Sequence, residues 1–405
     1  MIVSILSDMH FGYSHNTATE EDCFDNAEEA VQKALDSDLI LIAGDIFDSR
    51  MPKTGVWAKA IKILVKPLIA ESKGVKLFST TKSMKEIYKR TLQHLPVVAI
   101  HGTHERKGKD ETNAVEALDN AGIFLHLHCE TIVFEKDGVK VAIHGMSGVP
   151  ERQAAEVLKQ WNPKPVEGCY NILMMHQSID PFVYSPLEPP TISLKNLPSS
   201  FDLIVNGHIH GHIEDKAGDA VFIIPGSTVI TQLDKNEAET EKGFYRIDIG
   251  RKIEFVPLEK NRKFFYEELR IDSNAREKIE RVIDKILEKK FVKPPTIKVK
   301  IVGRDIDVSE QDLRAVEKKY ADKAVLVLAK ELESPEIAGK IEFMKNLREQ
   351  KLSVEEIGLQ LLKQNLEEMN FEKSFDFESA FSLLSEGDVE KTFSILMGEQ
   401  KTLRV

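Results

Sequence analysis

An α/β fold is expected for this chain on two observations. Strand-like and helix-like stretches alternate along its early part, and the early strands are unbroken apolar runs. The runs at 2–7, 39–43, 97–100, 171–175 and 202–206 are rich in Ile, Val and Leu and read as buried strands. Amphipathic stretches near 20–36, 55–70 and 112–121 read as the helices between and after the first of them. Later strands near 131–134, 139–144, 221–224, 244–249 and 253–258 have shorter connections, such as the turn at Asp137-Gly138. They imply hairpins and hence mixed sheets.

The composition shifts near residue 260. From Glu259 to Arg304 there are 14 Lys/Arg against 8 Asp/Glu, on a chain whose formal net charge is -11. A helix over 274–289 places Ile279, Val282, Ile283, Ile286 and Leu287 on one face. The strand at 296–302 alternates Ile297, Val299 and Ile301 with Lys298 and Lys300. A helix near 309–319 and a strand at 324–328 complete a small α+β domain. Pro335 opens a charged linker. Ser353 and Glu356 then form a capping box for a helix to about Met369, with Ile357, Leu361, Leu362, Leu366 and Met369 as its stripe. Shorter helices near 376–385 and 388–398 follow, a segment too small for a comfortable core of its own. The division expected is 1–259, 260–333, a linker at 334–352 and a helical tail at 353–405.

With 405 residues, 42% hydrophobic and 30% charged, the chain reads as a multidomain soluble protein. Its acidity argues against whole-molecule capture of nucleic acid or acidic membrane, and leaves room for a local basic strip. Cys23, Cys129 and Cys169 are too few and too scattered for a disulfide framework or a thiolate zinc site. A reducing, cytoplasmic setting is the default. The N-terminus carries no signal-peptide pattern, and no apolar run is as long as a membrane span.

The chemistry lies at the strand ends. The first strand ends in Asp8-Met9-His10 and the second in Gly44-Asp45. The strand at 97–100 runs into Gly102-Thr103-His104-Glu105, the strand at 171–175 into His176, and the strand at 202–206 into Gly207-His208-Ile209-His210. Ligands of open sheets gather at the carboxyl ends of strands. Imidazole and carboxylate together suit manganese, iron or zinc, and a carboxylate such as Asp45 can bridge two ions that clamp a phosphoryl group. Each piece has a bland alternative, because a lone histidine or a Gly-Asp turn is usually structural. Five such pieces in order, each directly after a strand, do not share that explanation. His15, His94, His101, His126, His128, His144 and His212 read as structural or exposed.

The order Asp-x-His, Gly-Asp, Gly-x-His, His, Gly-His-x-His resembles the calcineurin-like metallophosphoesterase superfamily. Gly44-Asp45-Ile46-Phe47-Asp48, Met175-His176-Gln177 and Pro225-Gly226-Ser227 narrow the likeness. They resemble the double-strand-break repair nucleases of the archaeal "meiotic recombination eleven" family, counterparts of bacterial SbcD. The resemblance implies a two-sheet sandwich flanked by helices, with a small α+β capping domain that contacts DNA. It implies one manganese ion on Asp8, His10, Asp45 and His210, and a second on Asp45, His176 and His208. His104 would protonate the leaving oxygen or stabilise the phosphate charge. Thr103 stands where the family usually has Asn, whose carbonyl is the better hard ligand. The resemblance further implies a homodimer through the helices at 55–70 and 112–121, using Val56, Trp57, Ile61, Leu64, Val65, Leu68, Val115, Leu118 and Ala121. The tail would grip a coiled-coil, SMC-like ATPase of the "radiation-sensitive fifty"/SbcC type. The activities implied are 3′-to-5′ exonuclease on duplex DNA and endonuclease on single strands. Two other readings stay open: a phosphodiesterase for small nucleotides on the same metal site, and a DNA-end-binding scaffold whose catalysis is weakened by Thr103.

Overall fold

In the computed structural model, residues 1–108, 111–183, 192–270, 274–303 and 309–332 are described, together with residues 359, 362, 363, 379–381, 392 and 393. Two sheets face each other across an apolar layer. The first orders its strands Lys252–Pro257, Gly243–Asp248, Ile2–Leu6, Leu39–Ala43, Val97–Ile100 and Leu125–His126. The second orders Ile213–Ala217, Ala220–Ile224, Leu203–Asn206, Tyr170–Met175, Val139–Met146, Glu130–Lys136 and Lys76–Thr80. The second sheet has a parallel centre and antiparallel margins, while the first is antiparallel only at its Lys252–Pro257 side and parallel through to Leu125–His126.

Strand Leu39–Ala43 shows why the centres read as plain apolar runs. Leu39, Leu41 and Ala43 pack into the layer between the sheets, with Ile172, Met174, Leu203 and Val205 from the other side. Ile40 and Ile42 instead pack with residues of helices Asp22–Ala34, Thr54–Leu64 and Ala114–Asn120. A strand covered on both faces has no polar side. Each such side chain contributes about 1.5–3 kcal/mol when fully buried. On the far face of the second sheet, Leu173, Met175, Ile204 and Phe222 pack with Ala154 and Leu158 of helix Glu151–Trp161.

Turn chemistry sets the margins. Asp137 and Gly138 both have positive φ, at 51° and 79°, between antiparallel strands, as a tight hairpin requires. Asn113 caps helix Ala114–Asn120: its side chain accepts from the Val115 and Glu116 amides, and Glu116 accepts from the Asn113 amide. The stretch expected as one helix at 55–70 is two, Thr54–Leu64 and Lys66–Ile69. Pro67 supplies no N–H and its ring clashes with the preceding turn. The residues expected at a dimer contact split as well. Val56, Leu64, Val115 and Leu118 lie in the core, Trp57, Ile61, Val65 and Leu68 pack half-buried against it, and Ala121 is exposed.

The residues after 260 form three parallel strands, Phe264–Arg270, Thr296–Gly303 and Val325–Leu332. Helices Ala275–Leu287 and Glu310–Tyr320 pack against Ile297, Val299 and Ile301. Phe264–Arg270 is absent from the sequence reading, as are Lys76–Thr80, Ile213–Ala217 and helix Glu151–Trp161. These three strands lie at sheet edges and carry polar residues on both faces, which hides the period-two signal. Arg262 joins the small domain to the first helix. Its guanidinium donates to Asp22 and to the carbonyls of Pro294 and Ala18, while Lys293 reaches Asp22 at 3.0 Å and Asp25 at 2.8 Å. The chain splits into two compact units, one of Met1–Tyr184 and Pro190–Leu332, the other of Ser185–Pro189 and Glu333–Val405. The linker expected at 334–352, and nearly all of the helices expected at 353–405, lie outside the described residues.

Candidate metal centre

Five strand ends converge at one rim of the sandwich, three from the first sheet and two from the second. Asp8 and His10 follow Ile2–Leu6, Asp45 follows Leu39–Ala43, and His104 follows Val97–Ile100. His176 follows Tyr170–Met175, and His208 and His210 follow Leu203–Asn206. The chain must turn sharply there. Asp8, His10, Asp45 and His208 take φ values of 50°, 48°, 47° and 82°, in the left-handed region that costs a side chain about 1–2 kcal/mol. Two glycines leave the room. A Cβ on Gly44, at φ 93°, would lie 2.3 Å from His176 Nδ1, and one on Gly102 would lie 2.2 Å from Asp45 Oδ1.

The ligand-type atoms form three overlapping groups: Asp8, His10 and His210; His10, Asp45 and His104; and Asp45, His176 and His208, each within 4.8 Å. His10 Nε2 and His210 Nε2 stand 3.0 Å apart, and Asp8 Oδ1 lies 3.8 Å from each. Asp45 Oδ2 is 3.2 Å from His176 Nε2. The second nitrogen of four of the rings is tied down. His176 Nδ1 donates to the Ala43 carbonyl at 2.7 Å, His104 Nδ1 to the Asp48 carbonyl at 3.0 Å, and His10 Nδ1 to Asp48 Oδ1 at 3.2 Å. His210 Nδ1 pairs with the Thr231 hydroxyl. A proton on Nδ1 leaves the Nε2 lone pair facing the cluster, as metal-ligating histidines do.

The same atoms test whether a cation fits. Asp8 Oδ1 is buried with no hydrogen-bond partner, and two imidazole nitrogens confront each other. A buried carboxylate oxygen is costly when left unpaired, and a divalent cation beside it would satisfy it and take both nitrogens as ligands. Burial pushes the Asp8 carboxyl up. Burial also opposes ionisation of Asp45, but His176, His10 and His104 hold it well below the usual carboxylate range. Burial pulls His176 down, yet Asp45 and Asp8 lift it to about 9. His210 is driven well below its ordinary value by burial, His10 and Lys242.

The loop Gly102–Glu105 divides its work. Thr103 donates its hydroxyl to Asp45 Oδ2 at 3.1 Å, and the His104 amide donates to Asp45 Oδ1 at 2.9 Å. The His104 ring is exposed at the rim. Glu105 points away from the centre and is fully buried. It accepts from the Phe47 amide at 2.6 Å and the Gly102 amide at 2.8 Å, clamping the two ligand-bearing loops together. Burial and the neighbouring Asp45 push Glu105 up to about 8.

Three of the remaining histidines sit in hydrogen-bond networks of their own. His101 Nδ1 lies 3.0 Å from His126 Nε2 and accepts from Asn113, while His126 also meets Ser147. His144 sits between Thr131 and Asn171. Thr231, Glu237 and Lys242 went unread in the sequence. Their only signal is polarity, which does not distinguish them from solvent-facing residues.

Residues 1–212, just over half of the chain, match the model of the calcineurin-like phosphoesterase family. The "DNA double-strand break repair protein Mre11" of Methanopyrus kandleri is 24% identical, over 81% of this chain and 70% of its own length. The protein of the same name from Thermoplasma acidophilum is 26% identical, over 82% of this chain and 84% of its own. Among solved structures, a predicted phosphoesterase from Streptococcus pneumoniae covers 63% of this chain and 88% of its own, at 11% identity and a TM-score of 0.27. No described helix is long and apolar enough to cross a membrane.

Proposed function

We propose that this chain, which belongs to the calcineurin-like phosphoesterase family, is a manganese-dependent DNA nuclease acting at double-strand breaks. The observation that carries this reading is the convergence of Asp8, His10, Asp45, His176, His208 and His210, with an unpartnered carboxylate oxygen at its heart. Relatives named for double-strand-break repair, matching along four-fifths of the chain, support DNA as the substrate.

Asp8, His10, Asp45 and His210 would hold one ion, and Asp45, His176 and His208 the other. Bound there, the ions would neutralise the phosphodiester and lower the pKa of the attacking water. His104 stands at the exposed rim with Nδ1 anchored on the Asp48 carbonyl, so Nε2 is left to serve the leaving oxygen. Glu105 and the Asp48 carboxylate keep the loops in register, so the charges need not rearrange during reaction.

The same reading includes 3′-to-5′ exonuclease action on duplex ends and endonuclease action on single strands. It includes a homodimer and capture of a coiled-coil ATPase by residues 353–405. Ile69, 79% exposed, and half-buried Trp57, Ile61 and Leu68 lie on helices Thr54–Leu64 and Lys66–Ile69 and support pairing through them. For DNA contact, Lys293 and Lys298 are engaged within the protein and Lys300 pairs with Glu331. The exposed Arg281, Lys285, Lys289 and Lys290 are the better candidates for phosphate.

The test is metal analysis joined to cleavage. Chelated protein is titrated with manganese and offered a defined DNA duplex and a cyclic nucleotide. Two bound ions with duplex cleavage as the faster reaction are expected. Preference for the cyclic nucleotide would move the substrate to small nucleotides, and tight DNA binding without cleavage would make the chain a scaffold.

A further inference from the structure

Lys242 is a lysine with its charge enclosed: 2% of the residue is exposed. Its ammonium has three hydrogens and three acceptors, the His210 carbonyl at 3.1 Å, Ser227 Oγ at 2.8 Å and Glu237 Oε1 at 2.7 Å. Glu237, also buried, accepts from the Thr231 amide at 3.1 Å and from the Gln232 amide. The Thr231 hydroxyl meets His210 Nδ1, which closes a ring: His210, Thr231, Glu237, Lys242 and back to His210. Tyr13 adds an outer tie by donating to the Thr231 carbonyl at 2.6 Å.

We propose that the Glu237–Lys242 pair and Thr231 are positioning residues that aim His210 at the cation site and link it to the small three-stranded domain. The proposal rests on reading the strand-end cluster as a cation site. A buried ion pair seldom stabilises a fold more than an apolar pair of the same volume. Its value lies in direction. Lys242 fixes the His210 backbone, Glu237 fixes the backbone of Thr231, and Thr231 fixes the angle of the ring. Apolar substitutes could fill the space but could not hold the ring's angle. The link outward is Lys298, on strand Thr296–Gly303, which donates to the Leu233 carbonyl at 2.7 Å. Displacement of that strand would therefore pull on the segment that carries Thr231.

Chelated full-length protein, wild type and variants, is titrated calorimetrically with manganese alone, and metal-free melting temperatures are measured alongside. Thr231→Val should weaken one of the two ions about 10–100-fold while leaving the metal-free melting temperature nearly unchanged. Thr231→Ser, which keeps the hydroxyl, should bind like wild type. Lys242→Met should weaken the same ion; if it fails to fold, the Thr231 pair decides. Lys298→Met should weaken that ion several-fold, and unchanged binding would remove the link to the small domain. Wild-type affinity in Thr231→Val, or equal losses in Val and Ser, would overturn the positioning role while leaving the cation site intact. A wild type that binds no manganese would instead sink the reading of the cluster, and this proposal with it.

Discussion

Two groups of buried histidines lie in this domain, and only one resembles a reaction centre. His10 and His210 sit with Asp8, and His101 and His126 sit with Glu116. Both sets bring ligand-type atoms within 4.8 Å of one another at strand ends. Composition and burial do not separate them; hydrogen bonds do. His101 accepts from Asn113 and His126, His126 reaches Ser147, and Ser147 donates onward to the Leu127 carbonyl. Every group in that chain has a partner. At the other site Asp8 Oδ1 has none. A site is recognised by hydrogen bonding that protein atoms alone leave incomplete.

The sharpest way to break that contrast is at Asp45, which belongs to two of the groups. Asp45→Asn should lose most bound metal and depress DNA cleavage by on the order of 10³-fold or more, because several kcal/mol of charge stabilisation leave with the ions. Circular dichroism should show the fold intact, and activity near wild type would end the two-ion model. His104→Gln comes next. It should retain metal and DNA binding and lose about 10²–10⁴-fold in cleavage, measured in single turnover. Metal loss there would make His104 a ligand.

The second group makes the opposite prediction. His101→Gln should leave manganese stoichiometry unchanged and cost about 1–3 kcal/mol of stability in urea. Burial, followed by the nearby His128, pulls His101 down to about 3. Its unfolded value is near 6.5, so the unfolded chain binds the extra proton between those limits. The stability it contributes is therefore complete above about pH 6.5 and is lost as pH falls toward 3, at up to about 1.4 kcal/mol per pH unit. Urea midpoints at several pH values should show that slope in the wild type and a shallower one in His101→Gln. The smallest effect is expected at Thr103. Its hydroxyl is occupied with Asp45, so Thr103→Asn should tighten the second manganese only a few-fold in a metal titration. Two equally tight ions in the wild type, unmoved by the substitution, would show that Thr103 does not weaken that site.

Much of the centre was legible before any coordinates, for a physical reason. A strand packed on both faces carries few polar residues and no charged ones, so the first charged residue or histidine after it marks the sheet's edge. That located Asp8, Asp45, His176 and His208. It could not say where Glu105 would point, since one residue along a tight turn reverses a side chain. It could not find Lys242 either, because an enclosed ammonium and a solvent-facing one have the same letter. The edge strands Lys76–Thr80 and Phe264–Arg270 escaped because their polar and apolar residues follow no clean alternation.

The left-handed turns at Asp8, His10, Asp45 and His208 bear on anyone who would engineer this protein for heat tolerance. Glycine at any of the four would relax the backbone by about 1 kcal/mol or more, and Asp8→Gly would also remove a buried oxygen that has no partner. A selection that scored only survival at high temperature, with no metal and no substrate present, would be drawn to these positions. Its winners would be robust and inert. Catalysis has to be kept in the assay from the first round, since the residues that a search for robustness would discard first are those at the rim where five strands end.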